Sequence, residues 1–347
     1  MNKAQKMAIW CGLLVASLAV GFAQTSKELR VYFVDVEGGQ STLFVTPSGQ
    51  SLLIDTGWPG HAGRDADRIV AAAKKAGISR IDYVLITHYH EDHVGGVPQL
   101  AARIPIGTFI DHGPNYETSD KATVEGYAAY QKLLASGKYK HIVPRPGDVL
   151  PIKGMKVLVI SSNGNLLDHP LPGGGEQNPY CKISETRPAD TTENSHSLGV
   201  LITFGKTRIL DLGDLTWDKE MQLMCPMNRL GHVPILIVSH HGWYQSSSPA
   251  LVDAIHPQIA IMDNGATKGG SKPILETFRK VSGLETLWQL HSSDEGGADN
   301  TSEPYIANPS GPDSGYGLEL TVAPDGSFSV LNLRTGKQYS YPSKANE

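Results

Sequence analysis

Of the 347 residues only 19% are charged and 7% aromatic, and just three are cysteine. So little charge excludes a coiled coil. A 40% share of hydrophobic residues with 37 Gly and 22 Pro excludes a disordered or fibrous chain and fits a loop-rich globular protein. Beyond residue 23 no apolar run is long enough to cross a bilayer. There is no Gly-x-Ser-x-Gly elbow and no Gly-x4-Gly-Lys phosphate loop, so serine hydrolases and P-loop nucleotidases lack support. No internal repeat or composition break divides the chain.

At the N-terminus, Lys3 and Lys6 precede an apolar run from Met7 to Val20 and then Gly21-Phe22-Ala23, the layout of an export signal cleaved after Ala23. The run through Ala23 is 17 residues, short of the ~20 that span a bilayer. Cys11 lies inside the run, away from the end where a lipid-modified cysteine would sit. The expectation is a signal peptide over 1–23 and one domain over 24–347, periplasmic or secreted, with no membrane attachment beyond the leader. That mature part has 28 basic against 35 acidic residues, a balance that argues against salt-driven capture of nucleic acid or anionic membrane. Cys181 and Cys225 remain, either paired or as two buried thiols.

Short β-rich runs at 28–36, 41–45 and 51–55 suggest an antiparallel meander. A helix through Ala66, Ile69, Val70 and Ala73 stops at Gly77, before the apolar strand 81–87. Further helices are expected over 119–136, 217–229, 248–255 and 273–281. Strands are expected over 155–160, 198–204, 208–212, 233–239 and 258–262, with a closing hairpin of 318–322 and 328–333. Two irregular insertions, 161–195 and 291–316, are long enough to be functional loops.

The sharpest local feature is Thr87-His88-Tyr89-His90-Glu91-Asp92-His93-Val94-Gly95-Gly96, directly after a buried strand. Imidazole nitrogen and carboxylate oxygen suit Zn²⁺, with Mn²⁺ or Fe²⁺ as alternatives. In extended backbone His88 and His90 point the same way, while Asp92 and His93 follow round the bend, which makes two ligand pairs. Each pair leaves a coordination shell incomplete, so further ligands should follow at strand ends. His196, Asp214 and His240-His241 stand at such positions.

This order, His-x-His-x-Asp-His, then a ligand, then Gly-Asp, then Ser-His-His-Gly, resembles the metallo-β-lactamase superfamily. Within it, the chain is similar to the extracytoplasmic hydrolase domain of ComEC-type competence (DNA-uptake) proteins over residues 30–290. The resemblance implies an α/β fold, a four-layer αββα sandwich of two mixed β-sheets with helices on the outer faces. It implies two Zn²⁺ ions, the first held by His88, His90 and His196, the second by Asp92, His93 and His240, with Asp214 bridging. Asp92 would also orient the attacking water, and His241 would replace His240 as ligand, donate a proton or hold substrate. The chain departs from competence-type domains at Glu37-Gly38-Gly39-Gln40, at Trp243 and at Ser271-Lys272-Pro273, which weighs against DNA as the substrate. His196, where those domains tend to carry Asn, favours a full ligand set.

The expected activity is exported, metal-dependent hydrolysis, by a zinc-bridging hydroxide, of a phosphodiester or another ester or amide bond, on a small-molecule or phosphodiester substrate. The rival readings are a lactonase or β-lactamase of the same fold, a metal-holding binding module without turnover, and an iron redox enzyme. Asp35 and Asp55 stand where hydrogen bonds to ligating histidines are possible, and Tyr89 and Trp243 flank ligands.

Overall fold

The computed structural model describes residues 27–310 and 313–344; the expected leader lies outside them. One sheet has nine strands in the order Lys337–Tyr341, Phe328–Asn332, Leu318–Val322, Leu29–Phe33, Thr42–Val45, Ser51–Ile54, Ile81–Leu85, Ile106–Ile110 and Lys140–Ile142. The first six pair antiparallel and the last four run parallel. The second sheet has eight, in the order Ile306–Asn308, Thr286–His291, Ile259–Met262, Ile235–Ile237, Thr207–Asp211, Gly199–Phe204, Lys156–Ser162 and Asn165–Leu166. Its first five are parallel.

Period-two alternation in the strands sends one set of side chains to each face. Val31, Phe33, Ile235, Ile237, Ile259 and Ile261 meet in a layer between the sheets. Tyr32 and Val34 face the other way, onto helices Arg64–Lys75 and Lys121–Leu134, while Leu236, Val238, Ala260 and Met262 face Trp217–Met224 and Lys272–Lys280. Three apolar layers between four layers of secondary structure make an αββα sandwich. Both faces of the central strands are covered, which is why they read as unbroken apolar runs. Trp288, fully buried in the middle layer, is the largest single contributor; truncation to Ala would cost about 3–5 kcal/mol.

The helices end where local chemistry requires. Asp120 caps Lys121–Leu134, its side chain accepting from the Thr123 amide at 2.7 Å. The expected helix 217–229 stops at Met224, because Cys225 is extended and Pro226 has no N–H to donate. Cys181 and Cys225 are disulfide-bonded with Cα atoms 5.8 Å apart, tying the 161–195 segment to that helix end. The Glu176–Gln177 and Met227–Asn228 strands add a small antiparallel pair there. The 291–316 segment is less irregular than expected, since Ile306–Asn308 forms the edge of the eight-stranded sheet. Among the described residues no helix is long and apolar enough to cross a membrane.

Candidate metal centre

Parallel strands deliver their C-terminal ends to one edge of the sandwich, and the polar side chains gather there. Asp55 follows Ser51–Ile54, His88 to His93 follow Ile81–Leu85, and Asp214 follows Thr207–Asp211. His240 and His241 follow Ile235–Ile237, and Asp263 follows Ile259–Met262. The short helix Glu91–Val94 starts after an extended His90 and is held from both sides: the Gln40 amide donates to Asp92 O at 3.2 Å, and the Thr56 amide to His93 O at 2.8 Å. Gly39 must be glycine for this approach, because a Cβ there would lie 2.4 Å from Asp92 O.

Backbone strain marks the same edge. Asp55, His240 and His241 have φ of 58°, 55° and 54°, left-handed values that cost a non-glycine residue roughly 1–3 kcal/mol each.

His93 Nε2 lies 3.2 Å from Asp92 Oδ2, 3.3 Å from Asp214 Oδ2 and 3.1 Å from His241 Nε2. His241 Nε2 is in turn 3.2 Å from Asp92 Oδ2. His88 Nε2 faces Asp214 Oδ2 at 3.8 Å and has no hydrogen-bond partner, nor has Asp214 Oδ1. The donors form two overlapping groups, His88 with His93 and Asp214, and Asp92 with His93 and His241, each with its ligand atoms within 4.8 Å of one another. All five side chains are buried. Uncompensated polar atoms so deep cost ~1–3 kcal/mol each, and a divalent cation is the partner this nitrogen and carboxylate set fits.

Electrostatics agree. Burial, with His93 adding to it, drives His88 well below the usual imidazole range, into the neutral form that ligates. Burial opposes ionisation of Asp214, yet the imidazoles of His93, His240 and His241 hold it well below the ordinary carboxylate range. Burial likewise opposes Asp92, and Lys268 and His93 override it.

Asp55 sets the histidine tautomers. Its Oδ2 accepts from His93 Nδ1 at 2.7 Å and from Thr87 Oγ1 at 2.6 Å, and its Oδ1 accepts from the Thr87 amide at 2.8 Å. With its proton given to Asp55, Thr87 Oγ1 accepts from His88 Nδ1 at 3.0 Å. Burial opposes a charged His93, but Asp214, Asp92 and Asp55 override it and hold this imidazole well above its usual range. Once an ion displaces the Nε2 proton, the Nδ1 bonds of both imidazoles leave the Nε2 lone pair facing the cluster.

Other sequence candidates sit differently. His90 Nε2 pairs with Glu117 Oε2 at 2.9 Å, a charge-assisted bond that competes for its lone pair. His196 stacks on Tyr116 at 4.2 Å, its Nδ1 unpartnered. Neither stands in the two donor groups. His241 joins the Asp92 group, whereas His240 Nε2 stays 3.5 Å from Asp214 Oδ2 and outside it. His240, His241, Trp243 and Lys268 line a cleft of about 300 Å³. Tyr89 packs away from the donors, against His112, Tyr127 and Tyr130. Asp35 bonds to His291 at 2.7 Å and approaches Arg68, not a cluster histidine.

Sequence reasoning passed over Glu117, Asp263 and Lys268. Asp263 Oδ1 stands 3.4 Å from His241 Nδ1, and the Lys268 ammonium contacts Asp92 Oδ2. Asp263 follows a strand at the same edge as the other donors, a signal that was available.

Residues 35–183 match the family model described as metallo-beta-lactamase superfamily. The chain is 25% identical to Recombination protein 2 of Haemophilus influenzae over 246 residues, covering 70% of this chain and 25% of that protein. It is 23% identical to ComE operon protein 3 of Bacillus subtilis, covering 69% and 29%. To a hydroxyacylglutathione hydrolase of Stenotrophomonas maltophilia it is 32% identical over 105 residues, covering 30% and 37%. The chain thus spans about a quarter to a third of the length of these relatives.

Proposed function

Because the chain belongs to the metallo-beta-lactamase superfamily, we propose that it is an exported hydrolase that holds two divalent ions, preferentially Zn²⁺, and cleaves a phosphodiester. The observation that carries this reading is the pair of orphaned buried atoms, His88 Nε2 and Asp214 Oδ1, inside a shared His/Asp cluster. When bound, such ions supply Lewis acidity and a water nucleophile at neutral pH.

The chain's own residues do the rest. His88, His93 and Asp214 would hold one ion and Asp92, His93 or Asp214, and His241 the other. This moves the ligand role expected for His240 to its neighbour, and leaves His90 and His196 to engage only on release from Glu117 and Tyr116. Asp55 holds two imidazoles in the ligating tautomer. His240, at the cleft wall and with its pKa lowered to about 4 by burial, would meet substrate as a neutral imidazole. Phosphodiester is favoured because similarity to the recombination and ComE operon proteins runs over about 70% of the chain, and to the hydroxyacylglutathione hydrolase over 30%. The Cys181–Cys225 disulfide supports an oxidising compartment.

The test is metal analysis of the purified protein, with turnover of bis(p-nitrophenyl) phosphate, nitrocefin and lactones before and after chelation. Retained zinc with chelator-sensitive diester cleavage is expected. A protein that retains no transition metal refutes the reading, and a metal-loaded protein without turnover reduces it to a binding module.

A further inference from the structure

Lys268 enters the metal edge from the opposite sheet. Its ammonium contacts Asp92 Oδ2 and lies 4.7 Å over the Trp58 ring. The backbone fixes it there: the Gly265 amide donates to Lys268 O at 2.8 Å, and the Gly270 amide to His241 O at 2.8 Å. Gly38, at φ 82°, packs so closely that a Cβ would lie 3.0 Å from Lys268 Cβ and 2.8 Å from Gly265 N. Among the described residues Lys268 is the one Lys or Arg side chain lining the cleft with His240, His241 and Trp243.

Consider this geometry once Asp92 serves a divalent ion. The carboxylate is then shared, and an ammonium held beside a dication is repelled unless an anion lies between them. A phosphodiester carries such a charge on the atom group being cleaved, whereas a neutral ester or lactone does not. We propose that Lys268 is the substrate-binding residue that reads the negative charge of a phosphodiester, bridging one non-esterified oxygen toward the ions. This deepens, and rests on, the metallohydrolase reading above.

Dimethyl phosphate, an anion, and trimethyl phosphate, its neutral counterpart, serve as binding probes on the metal-loaded protein, by calorimetry. Bis(p-nitrophenyl) phosphate and its methyl triester serve as the matched substrates. Lys268→Met should weaken dimethyl phosphate roughly tenfold or more, as expected for loss of a charged hydrogen bond. Metal content by mass spectrometry should hold, the diester-over-triester ratio of kcat/KM should fall in step, and Lys268→Arg should recover most of both. The proposal is overturned if anion affinity and the ratio stay within about threefold of wild type in a folded Lys268→Met or Lys268→Gln protein. It is also overturned if metal stoichiometry rises while discrimination persists, for then the lysine merely fills an ion's place. A wild-type chain that binds no metal would instead sink the hydrolase reading itself.

Discussion

Asp55→Asn removes no atoms from the cluster and leaves the shape of the site intact, but it reverses the direction of a proton chain. The asparagine Oδ1 would still accept from the Thr87 amide, now at 2.8 Å, while its Nδ2 replaces the oxygen facing His93 Nδ1 and Thr87 Oγ1. As a donor it forces the His93 proton onto Nε2. By donating to Thr87 Oγ1 as well, it turns that hydroxyl toward His88 Nδ1 and moves the second imidazole's proton in the same sense. Two nitrogens that point at the metal cluster become N–H donors. Loss of such a supporting partner costs ~10–100-fold in metal affinity per ligand, so both together give roughly 100- to 10,000-fold, or about 2.7–5.5 kcal/mol. Zinc affinity measured by competition with a chromophoric chelator tests this. Asp67→Asn is the control, since Asp67 pairs with Arg103 away from the donor groups and should leave zinc binding unchanged. An Asp55→Asn protein that binds zinc within threefold of wild type would refute the tautomer argument.

His241→Ala should lower bound metal by about one equivalent per chain, whereas His240→Ala should retain metal and lose kcat; mass spectrometry of the two proteins decides, and the opposite pattern restores His240 as the ligand. Asp211, buried and accepting from Gln40 Nε2 at 2.7 Å, is raised to about 7 by burial, which its bonds to Gly213 and Gln40 only partly offset. A carboxyl whose folded pKa lies above its unfolded ~3.9 gives stability in full below that value and loses it as pH rises toward 7. Roughly three pH units at ~1.4 kcal/mol each set an upper bound of about 4 kcal/mol for the metal-free chain. Asp211→Asn, with the Gln40 amide reversed, should therefore gain on wild type steadily from pH 4 to 7 in urea unfolding. A constant difference across that range would count against a protonated Asp211.

The layered architecture was legible because its strands are apolar on both faces, and the 88–96 motif because four candidate ligands, three His and one Asp, crowd one turn. Short or polar strands were not: Lys140–Ile142 is largely exposed, and Thr286–His291 carries Gln289 and His291 among its apolar residues. The site divides along the same line. His88, Asp92, His93 and Asp214 could be read from local spacing. Asp263 could have been, since it directly follows a strand at that edge. Glu117 and Lys268 could not, since each lies several residues into a loop and only the folded loops bring them to the metal edge. The choice between His240 and His241 was likewise beyond spacing, because the two adjacent left-handed residues aim their rings by backbone torsion.

That pair of left-handed histidines sets what selection can do here. Glycine at 241 would relieve the torsional cost, since it has no Cβ to clash, so a library sorted only for heat resistance of the demetallated chain should enrich it. The same library sorted for zinc retention should discard it. Robustness and ion capacity are thus opposed within one dipeptide, and the histidine persists there only under demand for the ion.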